Sequence, residues 1–274
     1  MVVVVGSGFV GSALRRALAS RGLRHHVLSR SEVDYADPGE LGRWLDSRPV
    51  RVMVNAAGWN GMTVDDVERD PRRGHGPNVE LPERLAKACH ERAIRFAQIS
   101  SGCVFHGPGP FGEGDEPNFL VTAYGRQKRE AELRVLAVGD AWIFRIRLPL
   151  SAVDHPRNLL TKLGRYGRIL GGRQSVTWLE DFCIRWLSVV EGARPGIYHA
   201  VQRGLLDIET AARTMGNGAP LWDAGEFARA GHVARSECEL CPDKYEACSG
   251  GGLASAQDAL SWCARQMACV GHKE

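Results

Sequence analysis

The sequence lacks any long hydrophobic run, and this absence limits the classes of protein it can encode. Hydrophobic residues make up 44% of the 274 residues, but no apolar run approaches the ~20 residues of a membrane-spanning helix. A block of lysine and arginine is also missing, and the net charge is only +3. Such a block marks the arms that bind nucleic acid. We therefore expect neither a membrane nor a nucleic acid as partner.

A secretory leader is another feature that we do not find. The chain enters a strand directly at Met1 to Val5, without the basic stretch and cleavage site of a signal peptide. A soluble, cytoplasmic protein is the expectation.

Zinc-type cysteine spacing is present only in part. Cys238 and Cys241 form a Cys-x-x-Cys pair, but a second such pair, or a His-x-His pair at zinc-finger distance, is missing. The chain has eight cysteines, and in a cytosolic protein we expect them to be reduced thiols. The sequence predicts no metal site.

The first motif that is present is a glycine-rich turn. Four valines, Val2 to Val5, predict a buried strand that runs into Gly6, Gly8 and Gly11 and then into a helix. In the Gly-x-Gly-x-x-Gly pattern, the glycines allow a tight turn, close approach of a pyrophosphate, and close packing of helix on strand. We expect this turn, with Phe9 and Val10 at the start of the helix, to bind a dinucleotide.

The end of the second strand indicates which dinucleotide is bound. An NAD site usually carries an acidic residue there to hold the ribose diol, whereas an arginine suits the 2′-phosphate of NADP. Here the strand ends in Ser29, Arg30 and Ser31. NADP(H) is therefore favoured, with Arg30 as its ligand, although Glu32 is close enough to keep NAD(H) open.

Two later strands also end in residues suited to a ligand. Asn55, Ala56 and Ala57 follow one strand, and small residues there let a cofactor lie against the backbone. Ser101 and Cys103 follow the next strand. Open α/β sheets bind ligands at this edge, so both groups are candidate site residues.

A tyrosine and a lysine four residues apart lie on the following helix. Tyr124 and Lys128 would share one helix face, where the cation would favour the phenolate and lower the pKa of the tyrosine. Such a tyrosine can pass a proton to a carbonyl oxygen, and Ser101 can hydrogen-bond the same oxygen. Taken alone, the pair also fits an ordinary amphipathic helix.

The character of the chain changes after Pro149. Residues 151–172 are basic and punctuated by glycine, and Arg157, Lys162 and Arg165 suit the pyrophosphate of a nucleotide-sugar. A solvated helix face is the alternative interpretation. Alternating strands and helices predict an α/β fold with a doubly wound parallel (Rossmann) sheet. We assign 1–150 and about 175–205 to this dinucleotide-binding domain, and 151–174 and 206–274 to a smaller C-terminal substrate-binding domain. Residues 106–118, rich in glycine and proline, are predicted to be a loop.

Together, these features resemble the extended short-chain dehydrogenase/reductases. Several segments are more specifically similar to the bifunctional 3,5-epimerase/4-reductases of nucleotide-4-keto-6-deoxy-sugars, which act in L-rhamnose synthesis, and to their relatives dTDP-4-dehydrorhamnose reductase and GDP-fucose synthase. These segments are 54–58, 101–105, 116–119, 145–150 and 155–163. The glycine turn is one residue shorter than is usual in that family, and the segment from Arg235 to Lys244 follows the family's pattern only loosely.

The resemblance implies a set of site residues. Tyr124, Lys128 and Ser101 would reduce a ketone with NADPH. Cys103 and Lys162 would exchange protons at the carbons flanking it. Asn158, Arg157 and Arg165 would bind the substrate, which would be a nucleotide-sugar.

Four functions remain open at this point. They are epimerisation with reduction of the 4-ketone, reduction alone, redox-neutral epimerisation with retained cofactor, and an NADP-sensing protein without catalysis. The Tyr124–Lys128 pair argues against the last of these. A homodimer is also left open.

Overall fold

A six-stranded parallel sheet forms the centre of the protein. The computed structural model describes residues 1–35 and 37–271. The strands of this sheet follow the order β2-β1-β3-β4-β6-β8. They are β1 Val2–Val5, β2 His25–Leu28, β3 Val52–Asn55, β4 Arg95–Ser101, β6 Ala141–Ile146 and β8 Gly196–His199. The direction of winding reverses on the two sides of β1, so the predicted doubly wound sheet is confirmed.

Helices cover both faces of this sheet. The helices up to β6 are α1 Phe9–Ser20, α2 Pro38–Asp46, α3 Val64–Arg69, α4 Pro71–His75, α5 Leu81–His90 and α6 Ala123–Val138, with a π-helical turn at Gly76–Glu80. The later helices are α7 Leu159–Arg165, α8 Leu179–Gly192, α9 Ile208–Thr214, α10 Ala224–Arg229, α11 Asp243–Cys248 and α12 Ala256–Gly271. Within the described ranges, no helix has both the length and the apolar character to cross a bilayer.

The alternation of side chains along each strand produces two cores. Val2 and Val4 pack with α1 and α8 on one face, whereas Val3 and Val5 pack with α2, α5 and α6 on the other. Both sets are almost fully buried, because a parallel sheet is covered on both sides. This burial is the reason that β1 is an unbroken run of valine.

The later part of the chain builds a third core of its own. Leu150, Leu160, Ile169, Leu206 and Leu260 all belong to it. These residues come from α7, α12 and the segments around a short antiparallel pair, β7 Arg173–Gln174 and β9 Leu206–Asp207. The basic segment 151–172 therefore belongs to a packed unit and is more than a solvated helix face.

The prediction of a loop over residues 106–118 is wrong for the first part of this segment. Residues Gly107–Phe111 form β5, which pairs in parallel with β10, Cys238–Leu240. Phe105, Cys238 and Leu240 share a small apolar core below this pair. The sequence did not predict this strand because glycine and proline disfavour strands, and its hydrogen bonds come from a segment about 130 residues away.

Candidate active site

The glycine turn lies at the switch point of the sheet, where ligands of open α/β sheets bind. Gly6 has φ +102°, and a Cβ there would be 2.7 Å from the amide nitrogen of Ala57. A Cβ on Gly11 would lie only 1.9 Å from the carbonyl oxygen of Gly6. Both glycines are thus required by the turn and by its packing.

Gly8, in contrast, is uncovered. A Cβ built on it would meet nothing within 4 Å, and it is the N-cap of α1, whose first turn contains no acidic residue. A helix N-terminus with exposed amides and no carboxylate favours a bound anion. The turn therefore fits the pyrophosphate of a dinucleotide, as the sequence indicated.

The side chains of the next two residues, Phe9 and Val10, pack into the protein. The Phe9 side chain is buried and stacks on His155, with ring centroids 4.7 Å apart, and Val10 packs against the core under α1. Through the Phe9–His155 stack, the turn contacts the segment that leads into α7. Burial, followed by the charges of Arg157 and Arg16, lowers the pKa of His155.

Arg30 lies exposed at the end of β2, with its guanidinium 5.6 Å from the ring centre of Tyr35. It lines a cavity of about 190 Å³ together with Tyr35, Pro77 and Arg84. The carboxylate of Glu32 accepts from His26 (2.7 Å) and from the indole of Trp44 (2.9 Å). Because Glu32 is occupied in this way, this site fits a 2′-phosphate better than a ribose diol.

The residues after β3 form the floor beside the glycine turn. Asn55 is completely buried, and its amide donates to Gln98 (2.9 Å) while its carbonyl accepts from the Ala57 amide (3.0 Å). Ala56 and Ala57 are half-buried. Asn55 thus shapes the backbone, and the two alanines remain the surface that a cofactor could contact.

Tyr124 and Ser101 lie close together. Burial raises the pKa of Tyr124, and the nearby Ser101 side chain lowers it in part. The Ser101 Oγ accepts from the amide of Cys103, 3.2 Å away. Tyr124 sits in the first turn of α6, which begins after the N-cap Thr122. Serine and phenol are therefore available together to one ketone oxygen.

The expected effect of Lys128 on Tyr124 is not what the structure shows. Burial is the main cause that raises the pKa of Tyr124; the charge of Cys103 raises it further, and Ser101 and Arg157 oppose the shift. The Lys128 ammonium donates instead to the carbonyl of Ile99 at 2.9 Å. Burial lowers the pKa of Lys128 to about 8, against the opposing effects of Glu132 and Cys103. A neutral phenol is a proton donor, which suits ketone reduction.

Cys103 lies beside a buried arginine that sequence reasoning missed. Arg147 follows β6, and its Nη1 donates to Cys103 Sγ at 3.6 Å. The β4–β6 register explains the contact, because Ser101 pairs with Ile146 and Gly102 donates to the Ile146 carbonyl at 2.9 Å. Cys103 itself is half-buried, and all eight cysteines are free.

Lys162 is half-buried on α7. Burial is the main cause that lowers its pKa, followed by the charges of Arg157 and Arg235. Arg157 also acts on the pKa of Tyr124, and it donates to Asn60 Oδ1 and, at 2.8 Å, to the Gly61 carbonyl. Arg157, just before α7, therefore connects that segment to the loop after β3.

The remaining two predicted substrate ligands differ from the expectation. Asn158 is completely buried as the N-cap of α7; it accepts from the amides of Leu160 and Ser151 and donates to two carbonyls at 2.8 Å. With its amide committed in this way, the Asn158 side chain offers no free polar group to a substrate. Arg165 is exposed and pairs with Asp154 at 2.8 Å.

A second feature that the sequence did not reveal is the course of the C-terminal segment 232–240. Asp65, at the start of α3, accepts hydrogen bonds from the Arg235 guanidinium (2.9 and 2.7 Å) and from the Val233 amide (2.9 Å). Its carboxylate also lies 3.1 Å from His232 Nδ1. This cluster holds the segment against the sheet domain. The isolated Arg235 in the sequence gave no sign of a partner 170 residues away.

Behind the site lies what we call the closed network, formed by Ser100, Glu132, Arg145 and His199. All four side chains are buried. Arg145 donates to both oxygens of Glu132 (3.0 and 2.7 Å), and Ser100 donates to the same carboxylate at 2.6 Å. Arg145 also meets His199 Nε2 at 3.2 Å. Arg145 and Arg147 occupy alternate positions at the end of β6, a period-two signal that was visible in the sequence.

No three His, Cys, Asp or Glu side chains of the described residues are arranged to hold a metal ion. The site is instead an anion-binding glycine turn joined to a hydroxyl, a phenol, a thiol and several cations. Such a site on a doubly wound sheet defines a dinucleotide-binding Rossmann protein.

The particular family follows from comparison with known proteins. Residues 1–213 match the family model described as the RmlD substrate binding domain, and the chain belongs to this family. It is 30% identical over 216 residues to a dTDP-4-dehydrorhamnose reductase of Mycolicibacterium smegmatis, covering 74% of this chain and 64% of that protein. It is 28% identical over 210 residues to a bifunctional dTDP-4-dehydrorhamnose 3,5-epimerase/reductase of Arabidopsis thaliana, covering 73% of this chain and 69% of that one.

The fold is also that of solved structures. A dTDP-4-dehydrorhamnose reductase of Bacillus anthracis, in complex with NADP, superposes with a TM-score of 0.82 over 95% of this chain and 97% of its own, at 17% identity. Since the aligned region spans less than two thirds of the Mycolicibacterium protein, the activity of this chain is a matter for proposal.

Proposed function

We propose that this protein is an NADP(H)-dependent enzyme that reduces the 4-ketone of a 4-keto-6-deoxy-sugar nucleotide and inverts the neighbouring carbons 3 and 5. One observation carries the proposal: at the end of β4, the Cys103 amide donates to Ser101 Oγ at 3.2 Å, the Cys103 sulfur lies 3.6 Å from Arg147 Nη1, and the Tyr124 phenol lies close enough to Ser101, Cys103 and Arg157 for each of them to shift its pKa. The groups for reduction and for proton exchange thus surround one point. The reductase and epimerase/reductase relatives support this choice of substrate.

Cofactor binding would fall to the glycine turn and to Arg30. The uncovered Gly8 and the acid-free start of α1 fit a pyrophosphate, and Arg30 beside Tyr35 fits the 2′-phosphate. When bound, NADPH supplies the hydride for carbon 4. The NADP complex of the Bacillus anthracis relative agrees with this preference.

Reduction requires a proton at the ketone oxygen as the hydride arrives. Tyr124 would donate it, since burial keeps the phenol protonated by raising its pKa. Lys128, whose pKa is lowered to about 8, lies one helical turn after Tyr124 on α6 with its ammonium on the Ile99 carbonyl, and it would help to return a proton to the phenol after each turnover.

Epimerisation requires a base on one face of the sugar ring and an acid on the other. A 4-ketone acidifies the hydrogens at carbons 3 and 5, and removal of one gives an enolate whose oxygen Ser101 and Tyr124 would stabilise. Cys103 would take the proton on one face. Lys162 would return one on the opposite face, and the lowered pKa of Lys162 suits that exchange near neutral pH.

The test is a reaction in heavy water with a 4-keto-6-deoxy-hexose nucleotide and NADPH, following NADPH absorbance and deuterium in the product. Wild type should consume NADPH and carry deuterium at carbons 3 and 5. The Tyr124→Phe variant should reduce the ketone about 10²- to 10⁴-fold more slowly than wild type. Its unfolding temperature should be unchanged, because the ring keeps its packing.

Cys103→Ser and Lys162→Ala separate the two chemistries. Each should lose deuterium exchange, and Cys103→Ser should still reduce a ketone supplied in the already inverted configuration. NADPH consumption by wild type without deuterium incorporation would leave a 4-ketoreductase. Exchange without NADPH consumption would indicate a redox-neutral epimerase, and neither reaction with NADPH still bound would indicate a sensing protein.

A further inference from the structure

Two buried arginines at the end of β6 differ in how their charges are compensated. Arg145 is completely buried and forms two hydrogen bonds with the Glu132 carboxylate. Arg147 is 2% exposed, yet no carboxylate of the described residues lies within 4 Å of it. An isolated charge is expensive to bury. The fold therefore retains Arg147 at a cost in stability.

The contacts of Arg147 show what could compensate its charge. Its Nη2 donates to the Gln174 side chain and to the Ser236 carbonyl, the latter at 2.6 Å, while Nη1 donates to Ser236 Oγ at 2.9 Å. Nε has no partner. The other neighbour of Nη1 is the Cys103 sulfur at 3.6 Å. Glutamine and serine remain neutral near pH 7, so the thiol is the group in this set that can become an anion.

The backbone holds the guanidinium in this position. The Arg147 amide donates to Thr177 Oγ1 at 2.9 Å, and its carbonyl accepts from the Thr177 amide at 2.7 Å. On the other side, Gly102 is tied to Ile146. Sheet register and these bonds leave little freedom for the arginine and the cysteine to separate.

We propose that Arg147 is a positioning residue that holds the Cys103 sulfur beside its guanidinium and stabilises the thiolate that takes a proton from the sugar ring. This inference rests on the proposed function, in which Cys103 is the base for epimerisation. Arginine keeps its proton throughout, so Arg147 acts through the sulfur and exchanges nothing itself.

The proton and charge balance of the step is simple. The thiolate takes a proton from carbon 3 or carbon 5, which gives a neutral thiol and an enolate with its negative charge on the ketone oxygen. The Lys162 ammonium then protonates the same carbon from the opposite face, and the enolate returns to the ketone. Cys103 loses its proton to solvent and Lys162 regains one, so both groups are reset.

Alkylation of Cys103 tests the inference without any sugar. Wild type is treated with iodoacetamide over a range of pH, and the labelling rate of each cysteine is read by peptide mass spectrometry. Cys269, which is exposed, serves as internal reference. Cys103 should be labelled at lower pH than Cys269, because the thiolate is the nucleophile.

Variants then assign the effect to the guanidinium. In Arg147→Gln, labelling of Cys103 at pH 7 should slow by about tenfold or more, whereas Arg147→Lys should retain much of the wild-type rate because the charge remains. Ser236→Ala removes a neighbour of Arg147 but no charge, and it should leave the pH profile unchanged. Labelling of Cys269 should be the same throughout.

Two results would overturn the inference. One is a wild-type Cys103 profile that coincides with that of Cys269, a measurement that needs no variant to fold. The other is an unchanged Cys103 profile in folded Arg147→Gln. Deuterium exchange in wild type is read separately: if exchange is absent while labelling depends on Arg147, the epimerase proposal fails and the thiolate inference stands.

Discussion

Arg145 and Arg147 are only two residues apart in sequence, but their buried charges are compensated in different ways. In the closed network, Arg145 meets the Glu132 carboxylate, which also accepts from the buried Ser100 and lies 3.7 Å from the partly exposed Arg129. Around Arg147, Cys103 and Lys162, positive charge is held without an adjacent carboxylate among the described residues. We infer that the first arrangement supports the fold, and that the second is prepared for anionic groups that form during a reaction.

The tautomer of His199 illustrates how completely the closed network is satisfied. Its Nδ1 lies 3.1 Å from the carbonyl of Phe111, which can only accept. Nδ1 therefore carries the proton, and Nε2 is left to accept from Arg145. Burial and then the charge of Arg145 lower the pKa of His199 to about 3. The imidazole is neutral at physiological pH and adds no charge to the network.

The largest loss of stability should come from removing the carboxylate that pairs with Arg145. Glu132→Ala leaves Arg145 buried without its carboxylate, and we expect a loss of about 3–5 kcal/mol in the free energy of unfolding, measured by urea denaturation. Glu191→Ala is the matched control. Glu191 pairs with Arg51 at 2.7 Å on the surface, where its side chain is 39% exposed, so its loss should cost less than about 1 kcal/mol. Equal, small losses in both variants would contradict the assigned role of the network.

A smaller loss of stability is expected when the Asp65 cluster that attaches the C-terminal segment 232–240 is weakened. Asp65→Asn keeps the shape but weakens the bonds to Arg235, and it should lower the free energy of unfolding at pH 7 by about 1–3 kcal/mol. Burial raises the pKa of Asp65, but the bonds from Arg235, Val233 and His232 outweigh it and hold that pKa well below its usual range.

The sign of the pH dependence follows from this lowered pKa. The stabilisation by Asp65 is present above its unfolded value of about 3.9 and is lost as the pH falls toward the folded value. The stability difference between wild type and Asp65→Asn should therefore shrink below about pH 4. A difference that is constant down to pH 2 would show that the charge of Asp65 does not hold the segment.

The smallest effect is expected for two arginines, Arg30 and Arg84, that line the cavity of about 190 Å³ at the end of β2. Arg30→Ala should weaken NADPH binding by about 10- to 100-fold and leave NADH binding nearly unchanged. Arg84 lines the same cavity but donates to Glu80 at 3.0 Å. Arg84→Ala should therefore change either affinity by less than about threefold. Calorimetric titration measures both, and equal weakening for the two cofactors would mean that Arg30 does not bind the 2′-phosphate.

Local patterns were sufficient for much of the architecture. The glycine turn and the valine run are both found as predicted, and α2 begins after the N-cap Asp37, which accepts from the amides of Gly39 and Glu40. Each depends on neighbours within a few residues, through steric limits on φ and through capping hydrogen bonds. The same holds for the helix that carries Tyr124 and Lys128.

Predictions that depended on distant neighbours were less secure. Asn158 was expected to bind substrate, but its amide closes the start of α7. The Lys128 ammonium was expected beside the phenol, and it reaches the Ile99 carbonyl instead. In both cases the residue type was compatible with two roles, and only the positions of backbone carbonyls and amides from other segments chose between them.

The sequence by itself determined the doubly wound sheet, the glycine turn and the spacing of Tyr124 and Lys128, because side-chain periodicity and backbone sterics act over short distances. Tertiary structure alone decided which charges are compensated. Arg145 and Arg147 look alike in the sequence, and their difference arises because α6 brings Glu132 to one, while β4 and the returning C-terminal segment bring Cys103 and Ser236 to the other. Electrostatic compensation depends on such contacts between distant parts of the chain, and no local pattern records it.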